Sequence, residues 1–407
     1  MIELKQEHRM IEQAIRDYAE KEILPKIPEF ESGRELPYDL MRRMMTDVMG
    51  ASWIRDSLNR RADKMESGQW DASRSKGAMD VMEGMDPLLV SVVVKEMSRV
   101  SPGFCMSWGA GVGLCGGNIL DKGTPAQIRK YAVPAITFEK IGAWALTEPE
   151  AGSDALGAMK TTARKDGDHY RISGSKTFIT NAPYADIFVV YAKLDQGQPA
   201  AEQIPHAFIL ERAMKGLSTG SPLKKMGMKD SPTGEIFLDD VAVPAENLLG
   251  GKEKQGGRRE VRDSLGSERT GICPMCLGII EKCYEQSVKY AKKRRQFGRP
   301  IGEFQAVQLQ IANMYIHLQN CWSIVLRLAD MARAGKPDMA YVCATKAYAA
   351  RAAVEVALDA IQIHGGYGYM EEYHIEKLMR DAKLLEIGAG TTHINLLTAA
   401  RLELGIK

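Results

Sequence analysis

"TTARKDGDHYRISGSKTFIT", Thr161–Thr180, is where the pattern of this chain changes. Two stretches of alternating character flank a Lys-Asp-Gly-Asp turn at 165–168, which is how a hairpin reads. "DIFVVYAKL" (186–194), "HAFILERA" (206–213) and "GEIFLDDVAV" (234–243) read as further strands. This period-two zone runs from about Lys140 to Leu249. Before it, "MIEQAIRDYAEKEI" (10–23) and "DPLLVSVVVKEMSRV" (86–100) repeat with the spacing of helices. After it, "GGKEKQGGRRE" (250–260) forms a junction, and three long helical stretches follow at 264–297, 306–334 and 338–366. The expectation is an α+β chain, mainly α. It has an N-terminal helical domain (1–139), a middle β-barrel-like domain (140–249) and a C-terminal four-helix bundle (250–407).

Composition narrows the function. The 407 residues are 45% hydrophobic and 26% charged, enough for a sizeable core. Lys+Arg number 54 and Asp+Glu 52, a balance that argues against gripping nucleic acid or an anionic membrane. No apolar run is long enough for a membrane span, and the first residues carry neither a signal-peptide nor a transit-peptide pattern. Seven cysteines, an odd number scattered through helical stretches, fit a reduced, cytoplasmic protein.

Two motifs match famous patterns and fail their context tests. "GVGLCG" (111–116) has the GxGxxG spacing, but no strand leads into it and no βαβ unit surrounds it. It reads as a helix-packing or pocket segment, and an NAD enzyme is excluded with it. "CPMC" (273–276) has no second pair at zinc spacing and reads as two small buried residues one helical turn apart. No metal site is expected.

Four other segments interrupt regular structure with glycines, hydroxyls and aromatics: "ALTEPEAGSD" (145–154), "FITN" (178–181), "RRQFGRPIGEFQ" (294–305) and "QIHGGYGYMEEY" (362–373). With "KKMGMKDSPTGEIFLDDVAVPAENLLG" (224–250) and "EIGAGT" (386–391), they resemble the acyl-CoA dehydrogenase family of flavoproteins, in that family's order and spacing from Trp144 onward. The resemblance implies FAD, bound by Trp144, Leu146, Thr147, Ser153, Phe178 and Thr180 on the flavin side. Arg294, Gln296 and Phe297, with Gln362, Gly365 and Gly366, would hold the ADP half in a neighbouring subunit. Thr391 and His393 would contact cofactor from the last loop and helix. By family habit the assembly is a homotetramer, a dimer of dimers. Electrons would pass from acyl-CoA to electron-transfer flavoprotein.

The implied chemistry takes the α-proton of an acyl-CoA thioester while the β-hydrogen leaves as hydride to flavin N5. A weakly acidic proton needs a carboxylate base and stabilisation of the developing enolate oxygen. Most members carry a Glu where this chain has Ala389. The isovaleryl-CoA dehydrogenase type carries its base elsewhere, at the position of Glu268 in "LGSERTG". Glu268 is therefore the expected base, with Glu386 as the alternative and an ion-paired surface glutamate as the bland reading. Ala389 keeps a backbone N–H for the thioester carbonyl, and Arg269 is expected to face CoA. Gly388 replaces a tyrosine of straight-chain members, and Gly266 replaces an acid sometimes found before the base. The lost tyrosine suggests a branched, cyclic or aryl acyl chain, and the lost acid would remove one pantetheine contact. The polar segment 52–86 raises a carboxylated acyl such as benzylsuccinyl-CoA, paired with Arg55, Arg60 or Arg61, beside the plainer reading of a solvated loop. An acyl-CoA oxidase or monooxygenase of the same fold, or a non-catalytic nucleic-acid-binding relative, remain as competing functions.

Overall fold

The computed structural model describes residues 4–70, 86–199, 202–253 and 257–406. The first part holds α1 (Gln6–Tyr18), α2 (Ile27–Ser32), α3 (Tyr38–Asp47), α4 (Ala51–Glu66), α5 (Pro87–Ser98), α6 (Pro102–Gly109), α7 (Gly117–Lys122), α8 (Pro125–Gln127) and α9 (Val133–Ile136). Part of the polar segment is thus the ordered helix α4, and residues 71–85 lie outside the described residues. "GVGLCG" is neither strand nor phosphate loop but a π-helical turn, Ala110–Gly116. Its outer glycines are packing positions: a Cβ on Gly116 would sit 2.5 Å from Ile136, and one on Gly111 3.0 Å from the Phe138 ring.

The middle part is one sheet of β1 (Gly142–Ala145), β2 (Thr162–Asp166), β3 (His169–Thr180), β4 (Ile187–Asp195), β5 (Ile204–Glu211), β6 (Leu217–Thr219) and β7 (Thr233–Pro244). The order is β1-β4-β2-β3-β7-β6, with β5 also on β4. The expected hairpin is β2–β3, antiparallel from Asp166–His169 outward. Register shifts between Ile172 and Gly174 and between Lys176 and Ile179 bend β3 against β7, and the sheet curls into a half-barrel. β4 is buried along almost its whole length, which explains why "IFVVYA" shows no alternation.

The last part opens with α10 (Arg258–Lys293), followed by a two-residue-strand hairpin, β8 (Arg295–Gln296) and β9 (Arg299–Pro300). Then come α11 (Gln305–Ala334), α12 (Met339–His364), α13 (Ile375–Leu385) and α14 (Thr392–Glu403). Alanines at 347, 349, 350, 352, 353, 357 and 360 are buried along α12, so neighbouring helices can approach it closely. Among the described residues no helix is long and apolar enough to cross a membrane.

A buried charge cluster ties α1, α5 and α10 together. Glu96 accepts from Arg16 at 2.8 and 2.9 Å and pairs with Lys95 at 2.6 Å, while Arg99 reaches Glu281 at 2.8 Å. Burial opposes charging Glu96, but Arg16, Lys95 and Arg99 hold its carboxyl below the usual range. Glu96→Ala removes the fully buried acid of the cluster and leaves Arg16, Lys95 and Arg99 only the more exposed Glu12, Glu281 and Glu285. It is expected to cost about 3 kcal/mol, read as a lower midpoint in urea unfolding.

Candidate active site

Between the N-terminal helices and α10 lies a cavity of about 270 Å³. Its walls include Met45, Met49, Val90, Val94, Met106, Trp108, Leu114, Ile272 and Met275. Glu268 is the one carboxylate in this lining among the described residues. Neither Arg55, Arg60 nor Arg61 lines it. Arg55 is paired with Glu139, and the buried Arg61 donates to the Leu120 carbonyl at 3.1 Å and lies over the Trp70 ring. These placements correct the expectation that α4 arginines reach the acyl group.

Glu268 makes no hydrogen bond or ion pair among the described residues, so it is not the ion-paired surface glutamate of the bland reading. Removal from water pushes its carboxyl up to about 7, with Arg269 and Lys346 pulling the other way. The alternative base, Glu386, pairs instead with Lys383 and does not line the cavity.

The turn Gly388–Gly390 is tied to α10 through Arg269. Ala389 holds the left-handed backbone φ of +54° and Gly390 one of +82°. A Cβ on Gly390 would lie 3.2 Å from Asn395 Nδ2 and 3.3 Å from Arg269 Nη2, so glycine is needed there. The turn's carbonyls are all taken. Lys346 Nζ donates to Gly388 O and Gly390 O, both at 2.7 Å, and Arg269 Nε donates to Ala389 O at 3.2 Å. Asn395 Nδ2 adds bonds to Gly390 O at 2.6 Å and Thr391 O at 3.1 Å. The N–H groups of Ala389 and Gly390 have no acceptor among the described residues.

Arg269 is buried, with its Nη1 3.3 Å from Cys343 Sγ and its Nε bonded to the turn. Gly266, without the acid, packs where a Cβ would meet the Met339 thioether at 3.0–3.1 Å. Cys273 and Cys276 are buried thiols, with Cys273 pushed up to about 12 by burial, as the structural reading of "CPMC" requires.

The expected cofactor residues fall into three groups. Trp144 and Leu146 at the end of β1 lie beside β3, because Thr177 N–H donates to Thr147 O at 3.0 Å and Lys176 Nζ to Leu146 O at 3.1 Å. Phe178, φ +57°, stands 68% exposed two residues before Thr180, and Ser153 is exposed on the turn between. Arg294, Gln296, Gly365 and Gly366 line a second cavity of about 490 Å³, while Phe297 is exposed at the β8–β9 tip and Gln362 on the last turn of α12. Thr391 caps α14, its hydroxyl accepting from Ile394 N–H at 3.2 Å, with His393 exposed beside it.

A flavin nucleotide fits these residues. The buried Trp144 Nε1 has no partner, an exposed aromatic stands nearby, and a Cβ on Gly365 or Gly366 would meet open space. Sequence reading missed Lys346, Asn395 and Asn181. Asn181, fully buried with φ +69°, donates to Ser107 O and Gly142 O and so fixes "FITN" against β1. For Lys346, the available signal was a lone lysine among the alanines and cysteine of α12's buried face.

This fold and site are those of a flavoprotein oxidoreductase acting on thioesters. The chain belongs to the acyl-CoA dehydrogenase family: it matches that family's N-terminal domain over 78–139, middle domain over 143–241 and C-terminal domain over 255–404. It is 35% identical over 395 residues to the short-chain specific acyl-CoA dehydrogenase of Clostridium acetobutylicum, covering 97% of both chains. It is 35% identical over 398 residues to a 3-(aryl)acrylate reductase of Clostridium sporogenes, covering 97% of this chain and 98% of that one. Butyryl-CoA dehydrogenase of Megasphaera elsdenii superposes with a TM-score of 0.84 at 32% identity, over 99% of this chain and all of that one.

Proposed function

We propose that this protein dehydrogenates an acyl-CoA thioester across its α,β carbons, with Glu268 as the base. The observation that carries the reading is the unpaired Glu268 in an otherwise carboxylate-free apolar cavity, beside a turn that has an alanine in place of an acid. A base at Glu268 would correspond to the isovaleryl-CoA dehydrogenase type. Ala389 N–H, aimed by a turn whose carbonyls are all engaged, would donate to the thioester oxygen as negative charge develops on it. FAD, when bound, supplies the acceptor for the hydride that leaves the β-carbon. Trp144, Leu146, Thr147, Ser153, Phe178 and Thr180 would hold its flavin end. Arg294, Gln296, Phe297, Gln362, Gly365 and Gly366 would serve a neighbouring subunit's nucleotide, with Thr391 and His393 completing the contact. A homotetramer with units 1–139, 140–249 and 250–407, and electron-transfer flavoprotein as acceptor, go with this reading.

The substrate we infer is a bulky, uncharged acyl group, branched or aryl. Gly109, Gly113 and Gly271 all line the cavity, and a Cβ on any of them would point into open space. Glycine on both walls, with four methionines able to adjust, leaves room for a ring. The relation to a 3-(aryl)acrylate reductase supports the aryl choice. Gly271→Val is expected to cut kcat/KM for an arylpropanoyl-CoA by about 10–100-fold and to leave butyryl-CoA nearly unchanged. Equal losses on both esters count against the glycine-lined ring site.

The test of the whole reading is anaerobic bleaching of bound flavin by straight-chain, branched, alicyclic, aryl and arylsuccinyl CoA esters. Bleaching by the branched or aryl esters is expected. A flavin that none of them reduces overturns it, and rapid reoxidation by air would favour the oxidase.

A further inference from the structure

Lys346 lies on α12, away from every segment that carries the family resemblance, yet its ammonium is fully buried. It makes no ion pair among the described residues. Its two partners are the carbonyls of Gly388 and Gly390, which flank Ala389. A buried cation bonded only to neutral dipoles is costly to keep, and such groups concentrate where a site needs them. Four charged or titratable groups of α10 face it: Glu268, Arg269, Cys273 and Cys276. Cys343 lies one turn before it on its own helix, and the turn 388–390 offers it only carbonyl oxygens.

We propose that Lys346 is a positioning residue that fixes the 388–390 turn by its two outer carbonyls and sets the pH at which Glu268 works. The inference rests on Glu268 being the base. Two bonds from one ammonium span the turn like a staple, and Arg269 holds the carbonyl between them. Together they force the Ala389 peptide to present its N–H on the opposite side. Holding a non-glycine residue at φ +54° needs outside constraint of this kind. The same ammonium is a nearby positive charge for Glu268 and opposes the effect of burial on that carboxyl. Burial lowers Lys346 itself to about 8, so its charge is costly to keep, and the two carbonyl bonds are what hold the ammonium in place.

Lys346→Met keeps the length and removes charge and bonds. With the ester that bleaches wild-type flavin fastest, kcat is expected to fall about 100-fold while KM and flavin content stay within about twofold. The midpoint of kcat/KM against pH should move up by about one pH unit. Lys346→Arg keeps the charge but cannot place both bonds, so kcat should fall about tenfold with the pH midpoint unmoved. An unmoved midpoint in a folded Lys346→Met protein overturns the proposal, whatever happens to kcat. So does a shifted midpoint in Lys346→Arg, which covers the case in which the methionine variant fails to fold. Glu268→Gln assayed alongside separates the two readings: if it still turns over, the base assignment has failed, and if it is inactive while Lys346→Met behaves as wild type, only the role of Lys346 has.

Discussion

Glu268→Gln is expected to leave the flavin bound and to lower turnover by about 10³–10⁴-fold, because among the described residues no other carboxylate lines the cavity to take the α-proton. In the wild-type protein kcat/KM should rise with pH through about 7, where burial places this carboxyl, since the base acts only when ionised. The same group makes a second, independent prediction. A carboxyl whose folded-state value is raised binds its proton more tightly folded than unfolded, so ionising it destabilises the fold. The loss begins above the ordinary carboxylate range near 4.5 and is complete above about 7. The glutamine variant suffers no such loss. It should therefore be more stable than wild type at pH 8 by about 2–3 kcal/mol, read as a higher unfolding temperature, and show no advantage near pH 4.5. Differential scanning calorimetry at the two pH values decides it. A pH-independent difference would mean that Glu268 is not the desolvated group described above.

Glu148→Ala is expected to have the largest effect on the middle domain. Glu148 and Lys176 are both buried, 2.9 Å apart, and the carboxylate also receives Lys160 N–H at 2.6 Å and Thr161 N–H at 3.0 Å. It shapes the turn after Thr147, and Lys176 in turn holds Leu146 O. Burial already lowers Lys176 to about 8 against the pull of Glu148. Removing the carboxylate leaves a buried ammonium with one carbonyl and should cost about 3–5 kcal/mol. Because the turn links Trp144–Thr147 to Ser153, the purified variant should also lose most of its flavin, measured as the 450 nm to 280 nm absorbance ratio. Glu148→Gln, which keeps the acceptor oxygen, should retain more of both. A Glu148→Ala protein with normal stability and full flavin would show that the turn holds itself.

The three-part architecture was legible because hydrophobic period is a backbone property: strands repeat in two and helices in 3.6 whatever surrounds them. Glu268 drew notice through a compensation, an acid missing at Ala389 and present on another helix, and the structure sets it in the cavity lining. What could not be read was how side chains pair across distance. Arg55 and Arg61 looked available for a substrate carboxylate, and nothing in the chain order shows that Glu139 and the Leu120 carbonyl claim them. Arg269 likewise follows the base directly, yet the fold turns it onto a carbonyl 120 positions later. Lys346 carried the faintest signal of all, one charge on an alanine face. The positive φ of Phe178 and Ala389 left no mark in composition, since neither residue type favours it.

Glu268, the proposed base, rides on α10, a 36-residue helix, while the 388–390 turn would contribute only backbone. Gly109 and Gly113 line the same cavity as Glu268 from the N-terminal part of the chain and take no part in the proposed acid–base step. A lineage, or an engineer, can trade glycine there for larger residues to favour slimmer acyl chains without retuning the proposed acid. Carrying that acid on a separate helix would make the substrate range the more easily evolved of the two properties.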